Sequence, residues 1–264
     1  MPEAGISGSG YDVRPMLDGS LSLVIPAHNE AENISRVIRQ CIQTLPSLAA
    51  RYEIVLVDDG STDDTVAVAQ EAMGADVARL RVVRHPRKSG YGITVGDGLR
   101  AATGDYVAFM DGDGQFNVED LKTLVELVGR ADLATGWRKR RADPWFRLVI
   151  AGVFNLLVRL LYGLRVRDID CGLKLMRRSV LDNAAPLLAR SALLNTELYF
   201  KSLRGGFRIA QAPVPHYPRV AGVRSGGRLI PILRAMRDLV RLRIRLAREW
   251  RPRPRRDPAP APQS

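Results

Sequence analysis

The feature that most constrains this chain is a rhythm. Short apolar, β-rich runs alternate with amphipathic segments of helical length. The runs are LSLVI (21–25), EIVLV (53–57), LRVVR (80–84), DYVAFM (105–110) and ADLATG (131–136). Strands without polar alternation are covered on both faces, and the helices between them have room to cross over. The rhythm therefore predicts an α/β fold with a mostly parallel central sheet flanked by helices. Three helix starts are read from capping pairs: Asn29 with Glu32, Ser61 with Asp64, and Asn117 with Asp120.

In such sheets ligands bind beyond the carboxyl ends of the strands. Three of the runs end there in functional-looking residues: Asp58–Asp59, Asp111 and Asp113 of DGDGQF, and Gly136–Arg138. Two carboxylates one residue apart disfavour each other's ionisation unless a cation lies between them. Turn formation by Asp and Gly explains one such loop, but not the convergence of three. A calcium loop of the EF-hand kind fails, because Phe116 occupies the position that needs Gly. SGYGITVGDG (89–98) has neither the ending of a phosphate-binding loop nor the third Gly of a dinucleotide fingerprint. What remains is a hard divalent cation, Mg2+ or Mn2+, held by carboxylates and shared with a substrate diphosphate. Asp113 is then the direct ligand, Asp111 binds the cation or the sugar, and Gln115 adds a neutral oxygen.

The net charge of +12 is uneven. Residues 224–256 carry twelve Arg against Asp238 and Glu249, a balance of +10, so the body is nearly neutral. That disfavours nucleic-acid binding over the whole surface and favours one basic element aimed at an anionic surface. Residues 226–250 read as that element. Leu229, Ile232, Leu233, Met236, Leu239 and Val240 lie on one face of a helix, and Arg234, Arg237, Arg241, Arg245 and Arg248 on the other. Such a helix suits an anionic membrane; the alternative is an apolar face packed on the domain. The run 145–164 is apolar except for a narrow stripe of Arg147, Asn155 and Arg159. It reads foremost as a membrane-interface helix, with a packed crossover helix and a true span as alternatives. Cys41 and Cys171 stand far apart, which suits a reducing compartment and no zinc site. Residues 1–20 read as a disordered lead-in without a secretory signal, and 251–264 as a disordered tail.

The motifs LVIPAHNEAENI (23–34), VDDGSTDDT (57–65), DGDGQ (111–115), TGWR (135–138), DIDCGLKL (168–175), NTELYFKSLRGGF (195–207) and PVPHYPRVAG (213–222) occur in one order. Together they resemble the inverting nucleotide-sugar glycosyltransferases of the GT-A fold. Within these they are similar to the polyprenol-phosphate sugar synthases: dolichol-phosphate mannose and glucose synthases and their bacterial relatives. The resemblance spans about residues 20–225, which implies a glycosyltransferase domain over 21–225.

The resemblance implies roles. Pro26, His28 and Glu30 would touch the nucleotide, with His28 where relatives carry Tyr. Val57 and Asp59 would hold base and ribose, Asp59 by accepting a base N–H. Asp111, Asp113 and Gln115 would form the metal site, and Arg138 and Arg219 would meet phosphate. Relatives carry a Lys after that last Arg; here Arg224 or Arg228 would stand in. Asp168 is the expected base for a hydroxyl acceptor and an orienting group for a phosphate acceptor. Asp170 is second choice, and Glu197 is assigned to the acceptor site. His85 and His216 are read as structural.

The expectation is a metal-dependent inverting transferase, peripheral at the cytoplasmic face of the cell membrane, that moves a hexose from a nucleotide sugar to a polyprenyl phosphate. Two alternatives stand: transfer to a hydroxyl of a glycolipid, polysaccharide or small metabolite, and a non-catalytic basic binding protein.

Overall fold

The computed structural model describes residues 15–139, 145–218 and 229–252. Seven strands form one sheet: β1 (Leu21–Ala27), β2 (Tyr52–Asp58), β3 (Leu80–Arg84), β4 (Tyr106–Met110), β5 (Leu133–Arg138), β6 (Leu173–Arg177) and β7 (Ile209–Val214). Their spatial order is β3-β2-β1-β4-β6-β5-β7. The first four are parallel, β6 runs antiparallel to both β4 and β5, and β7 pairs parallel with β5. The five predicted strands are all present. β6 and β7 complete the sheet on the side where the apolar rhythm fades.

The helices are α1 (Ala31–Leu48), α2 (Thr65–Met73), α3 (Tyr91–Ala101), α4 (Leu121–Val128), α5 (Trp145–Tyr162), α6 (Arg178–Ala184), α7 (Leu193–Arg204) and α8 (Leu229–Glu249). Side chains alternate across a strand, so the sheet feeds two cores. Leu21, Leu23 and Ile25 pack with α1, α2 and α4, while Val24, Val55 and Val57 pack with α3, α7 and α8. Gly98 lets α3 close on that second face, since a β-carbon there would stand 2.8 Å from a Val57 methyl.

Two of the three capping pairs are overturned. Helix α1 starts after Glu30 and α2 after Asp64, neither with a side-chain cap. Asn29 and Ser61 bond across loops instead: the Asn29 amide donates to Ser61 Oγ (3.0 Å), and Thr62 N–H donates to Asn29 Oδ1 (2.8 Å). Asn117 and Asp120 do form a capping box, on a 3-10 turn before α4. The lead-in is also shorter than expected. Leu17 is buried, and its amide donates to the Leu48 carbonyl at the end of α1 (2.9 Å). Residues 1–14 and 253–264 lie outside the described residues.

No helix among the described residues is long and apolar enough to cross a membrane. Helix α5 instead packs one side, through Val158 and Tyr162, and turns Val153, Leu156 and Leu160 to solvent. Helix α8 divides in the same way. Leu239, Leu242, Leu246 and Trp250 are buried against the body, while Val240 and Ile244 are about half exposed. For the described half of α8 the packed alternative therefore holds on the inner face, and Leu239 does not face outward. Tyr162 Oη donates to the Leu239 carbonyl (2.6 Å) and Arg243 Nε to the Leu161 carbonyl (2.9 Å), stitching α5 to α8.

Candidate active site

The sheet order reverses direction around β1, with β2 on one side and β4 on the other, and a crevice opens beyond such a switch point. Here it is a cleft of about 820 Å³ whose lining includes Pro26, His28, Asp59, Lys88, Asp111 and Asp113. Four loops meet there.

The loops after β1 and β2 are locked together. Asn29 sits in the left-handed region (φ 56°), which Asn tolerates better than most residues. Its bonds to Ser61 and Thr62 hold it there, Ala31 N–H donates to Asp63 Oδ2 (3.1 Å), and Glu30 N–H to Thr65 Oγ1 (2.9 Å). His28 Nδ1 lies 2.9 Å from the Asp59 carbonyl and donates to it.

Asp59 anchors the loop after β3. Its Oδ1 accepts from Ser89 N–H (2.7 Å) and faces His85 Nδ1 (2.9 Å); its Oδ2 accepts from Gly90 N–H (3.0 Å). Burial alone would raise its pKa. The bonds from His85, Ser89 and Gly90 outweigh that and hold the carboxyl below the ordinary aspartate value. The other face of the His85 ring meets Asp97 Oδ2 at 3.1 Å, so His85 ties Asp59 to α3. The Val57 side chain is fully buried, against Gly98 of α3.

Asp111 and Asp113 follow β4. Burial, then the charge of Asp113, pushes the Asp111 carboxyl up to about 7. Asp111 Oδ1 is shut off from solvent with no hydrogen-bond partner. Gly172 permits this packing, because a β-carbon there would stand 2.5 Å from the Asp111 carboxyl carbon. Asp113 Oδ1 accepts from Gln115 N–H (3.1 Å), while the Gln115 carboxamide donates to the Tyr217 carbonyl (3.3 Å).

Arg138, at the end of β5, is clamped by Asp168. Its Nε and Nη2 donate to the two carboxylate oxygens at 2.7 and 2.8 Å, and its backbone N–H adds a third bond at 3.2 Å. Burial would lower the guanidinium pKa, but Asp168 raises it further. Arg138 is close enough to Asp111 to act on it electrostatically.

Asp170 is exposed beside this pair. Glu197 does not reach the acceptor side: it is wholly buried, accepts from the amides of Leu188 and Ala189 (2.8 and 2.6 Å), and pairs with Lys201 at 2.7 Å. Its work is structural, tying α7 to the segment that precedes it. Arg219, Arg224 and Arg228 lie outside the described residues.

Two cleft residues escaped the sequence reading, and one residue read as structural, His85, supports the site. Lys88 and Tyr91 line the cleft, and His85 braces Asp59. The SGYG stretch drew attention only to its glycines, and a histidine's partners are set by tertiary neighbours.

Residues 22–184 match the family model described as glycosyl transferase family 2. The chain is 31% identical to dodecaprenyl-phosphate galacturonate synthase of Rhizobium johnstonii, over 81% of this chain and 63% of that one. It is 32% identical to undecaprenyl-phosphate 4-deoxy-4-formamido-L-arabinose transferase of Sodalis glossinidius, over 86% and 68%. It is 31% identical to polyprenol monophosphomannose synthase of Mycolicibacterium smegmatis, over 82% and 84%. The chain thus spans about two thirds of the length of the first two relatives. Among solved structures, glucosyl-3-phosphoglycerate synthase of Mycobacterium tuberculosis with Mn2+, uridine diphosphate and glucosyl-3-phosphoglycerate superposes with a TM-score of 0.64. That match covers 88% of this chain and 80% of the other at 22% identity, a likeness of fold, and the fold is GT-A.

Proposed function

The chain belongs to glycosyl transferase family 2, and on that premise we propose that it moves a hexose, with inversion, from a nucleotide sugar to a polyprenyl phosphate at a membrane surface. The observation that carries the reading is Asp111: a carboxylate at the tip of β4 with a buried, unpartnered Oδ1, in one cleft with Asp59 and beside Asp113. The three relatives named above, each a polyprenyl-phosphate sugar synthase or transferase by name, support the acceptor class.

The donor set fits a hard divalent cation. Among the described residues no three His, Cys, Asp or Glu side chains form a cage, and Mg2+ or Mn2+ in phosphate sites takes one or two carboxylates and completes its shell from diphosphate and water. Asp111 and Asp113 would hold it, with Gln115 able to join if its amide turns from Tyr217. Such a cation would neutralise charge on the departing diphosphate. The chain's own residues do the rest. The locked loops after β1 and β2 present the nucleoside to Pro26, His28 and Asp59. Arg138 faces the negative charge that grows on the leaving group, held in orientation by Asp168.

Asp168 also bears on the acceptor. A phosphate monoester, with a second pKa of about 6, is largely ionised at neutral pH and attacks unaided. A hydroxyl needs a base. A carboxylate with both oxygens on one guanidinium is poorly placed to take a proton, so Asp168 orients, and this favours the phosphate acceptor over the hydroxyl one. The exposed apolar residues of α5 and α8, set among the arginines of α8, support peripheral docking on an anionic bilayer at the cytoplasmic face.

The test incubates purified protein with labelled nucleotide sugars, Mn2+ and polyprenyl phosphate, and follows label into the organic phase. Donors are chosen by a thermal-shift panel of nucleoside diphosphates with and without Mn2+. Label that stays in water for every donor would sink the lipid-phosphate acceptor.

A further inference from the structure

Lys174 is the second residue of β6, and its side chain is fully buried. Its ammonium donates to the Cys171 carbonyl and stands 4.7 Å from the Phe109 ring centre and 5.3 Å from that of Tyr199. The Tyr199 ring is itself held, with its hydroxyl 2.8 Å from Thr135 Oγ1. No described carboxylate comes within ion-pair distance of the ammonium, although Asp111, Asp168 and Asp170 act on it through space. A buried cation without a direct counterion carries a desolvation cost of several kcal/mol. Two aromatic faces and one carbonyl offset part of it. A methionine of similar length would carry no such cost. The lysine must therefore do something that packing alone does not require.

Register shows what that is. Lys174 is directly opposite Phe109 on β4 and Thr135 on β5. Two residues beyond Phe109 is Asp111, and three beyond Thr135 is Arg138. Between Asp168, which clamps Arg138, and Gly172, which backs Asp111, runs a tight turn closed by the Cys171 N–H to Asp168 carbonyl bond (3.4 Å). The Cys171 carbonyl that Lys174 grips belongs to that turn.

We propose that Lys174 is a positioning residue of the donor site: by holding the Cys171 carbonyl it fixes the Asp168–Gly172 turn, and so sets at once the clamp on Arg138 and the approach of Gly172 to Asp111. This rests on the reading of Asp111 and Asp113 as cation ligands, and its test separates the two.

The full chain is compared with Lys174→Met, which removes bond and charge, and Lys174→Gln, which keeps a donor for the carbonyl without charge. Binding of Mn2+ in the presence of a saturating nucleoside diphosphate is followed by electron paramagnetic resonance, and hydrogen exchange reports the amides of residues 168–172. Unfolding midpoints confirm that each variant is folded. The expected result is Mn2+ affinity lower by about tenfold or more in Lys174→Met, in line with losses at residues that support metal ligands. The 168–172 amides exchange faster in that variant, and Lys174→Gln stays near wild type in both measurements. Wild-type behaviour of Lys174→Met overturns the proposal. So does a Lys174→Gln variant as impaired as Lys174→Met, since charge and not the bond would then matter. If the wild type itself takes up no Mn2+, the cation reading fails, and the exchange of 168–172 still decides whether Lys174 holds the turn.

Discussion

Gly172 lies against Asp111 so closely that a β-carbon on the glycine would stand 2.5 Å from the carboxyl carbon. The atoms in the way belong to the Asp111 carboxyl group itself, and each residue stands one position outside a paired strand, β4 or β6. Gly172→Ala is therefore expected to push Asp111 aside. Overpacking of this kind costs about 1–3 kcal/mol of stability, while transfer falls about 100-fold, as when a reacting group is displaced by 1 Å. Steady-state kinetics beside thermal melts checks this; normal turnover in a folded variant would remove the constraint placed on Asp111.

The Arg138–Asp168 clamp predicts unequal effects. Lysine cannot reproduce a two-bond fork, so Arg138→Lys should lower kcat about 100-fold, the scale for losing one oriented charge-stabilising donor. Asp168→Asn, which leaves one accepting oxygen, should be milder and leave the pH profile of kcat in place. A complete loss in Asp168→Asn would identify a proton-taking base and revive the hydroxyl acceptor.

Glu53 ties three segments together: Ser22 Oγ (2.6 Å), Thr103 N–H (2.7 Å) and Thr103 Oγ1 (2.7 Å) all donate to its Oε1. Burial would raise its pKa, but the bonds from Ser22 and Thr103, with help from Arg81, hold it below the ordinary value. Its folded pKa thus lies under its unfolded one. The stabilisation is complete above the unfolded value of about 4.3 and is lost as pH falls through the folded value. Glu53→Gln should cost about 1–3 kcal/mol at pH 7 and progressively less as pH falls through the folded value. Urea melts of both proteins across that range measure the difference.

The buried Glu197–Lys201 pair, with the lysine also donating to the carbonyls of Ala184 and Pro186 (2.9 and 2.5 Å), organises the 184–189 segment. Removing one partner strands a charge, so Lys201→Met should cost about 3–5 kcal/mol. The double variant Glu197→Gln, Lys201→Met should recover much of that. Equal losses in single and double variants would show that the pair's charges are not what matters.

Leu156 and Leu160 are 55% and 73% exposed on α5, so replacing both with Glu removes little packing. Changes at such surface positions usually stay within about 0.5 kcal/mol each. Sedimentation with anionic vesicles should nevertheless drop sharply, and transfer to lipid with it. Unchanged vesicle binding would move the docking face elsewhere.

Much of this was legible from the chain alone, for a physical reason. Buried parallel strands must be apolar throughout, so β1 to β5 announced themselves, and the acids after them fell at the rim where parallel strands end. β6 and β7 did not, because β6 carries a lysine and ends in an arginine, and β7 is an edge strand with half-exposed positions. Asn29 and Ser61 have the chemistry of helix caps, and local spacing could not reveal that each would satisfy the other's loop. The same limit hid the partners of His85 and Lys174, which are set by strand register and tertiary neighbours.

The inner face of α8 is welded to the body through Leu239, Leu242, Leu246 and Trp250, and Tyr162 and Arg243 stitch it to α5. A bilayer that holds the outward side of these helices would have no hinge at this seam through which the enzyme could swivel. It would grip the protein like a handle and dictate the pitch of the donor cleft above the lipid headgroups. Which acceptors could reach the cleft would then become a question of how far its mouth stands from the bilayer plane.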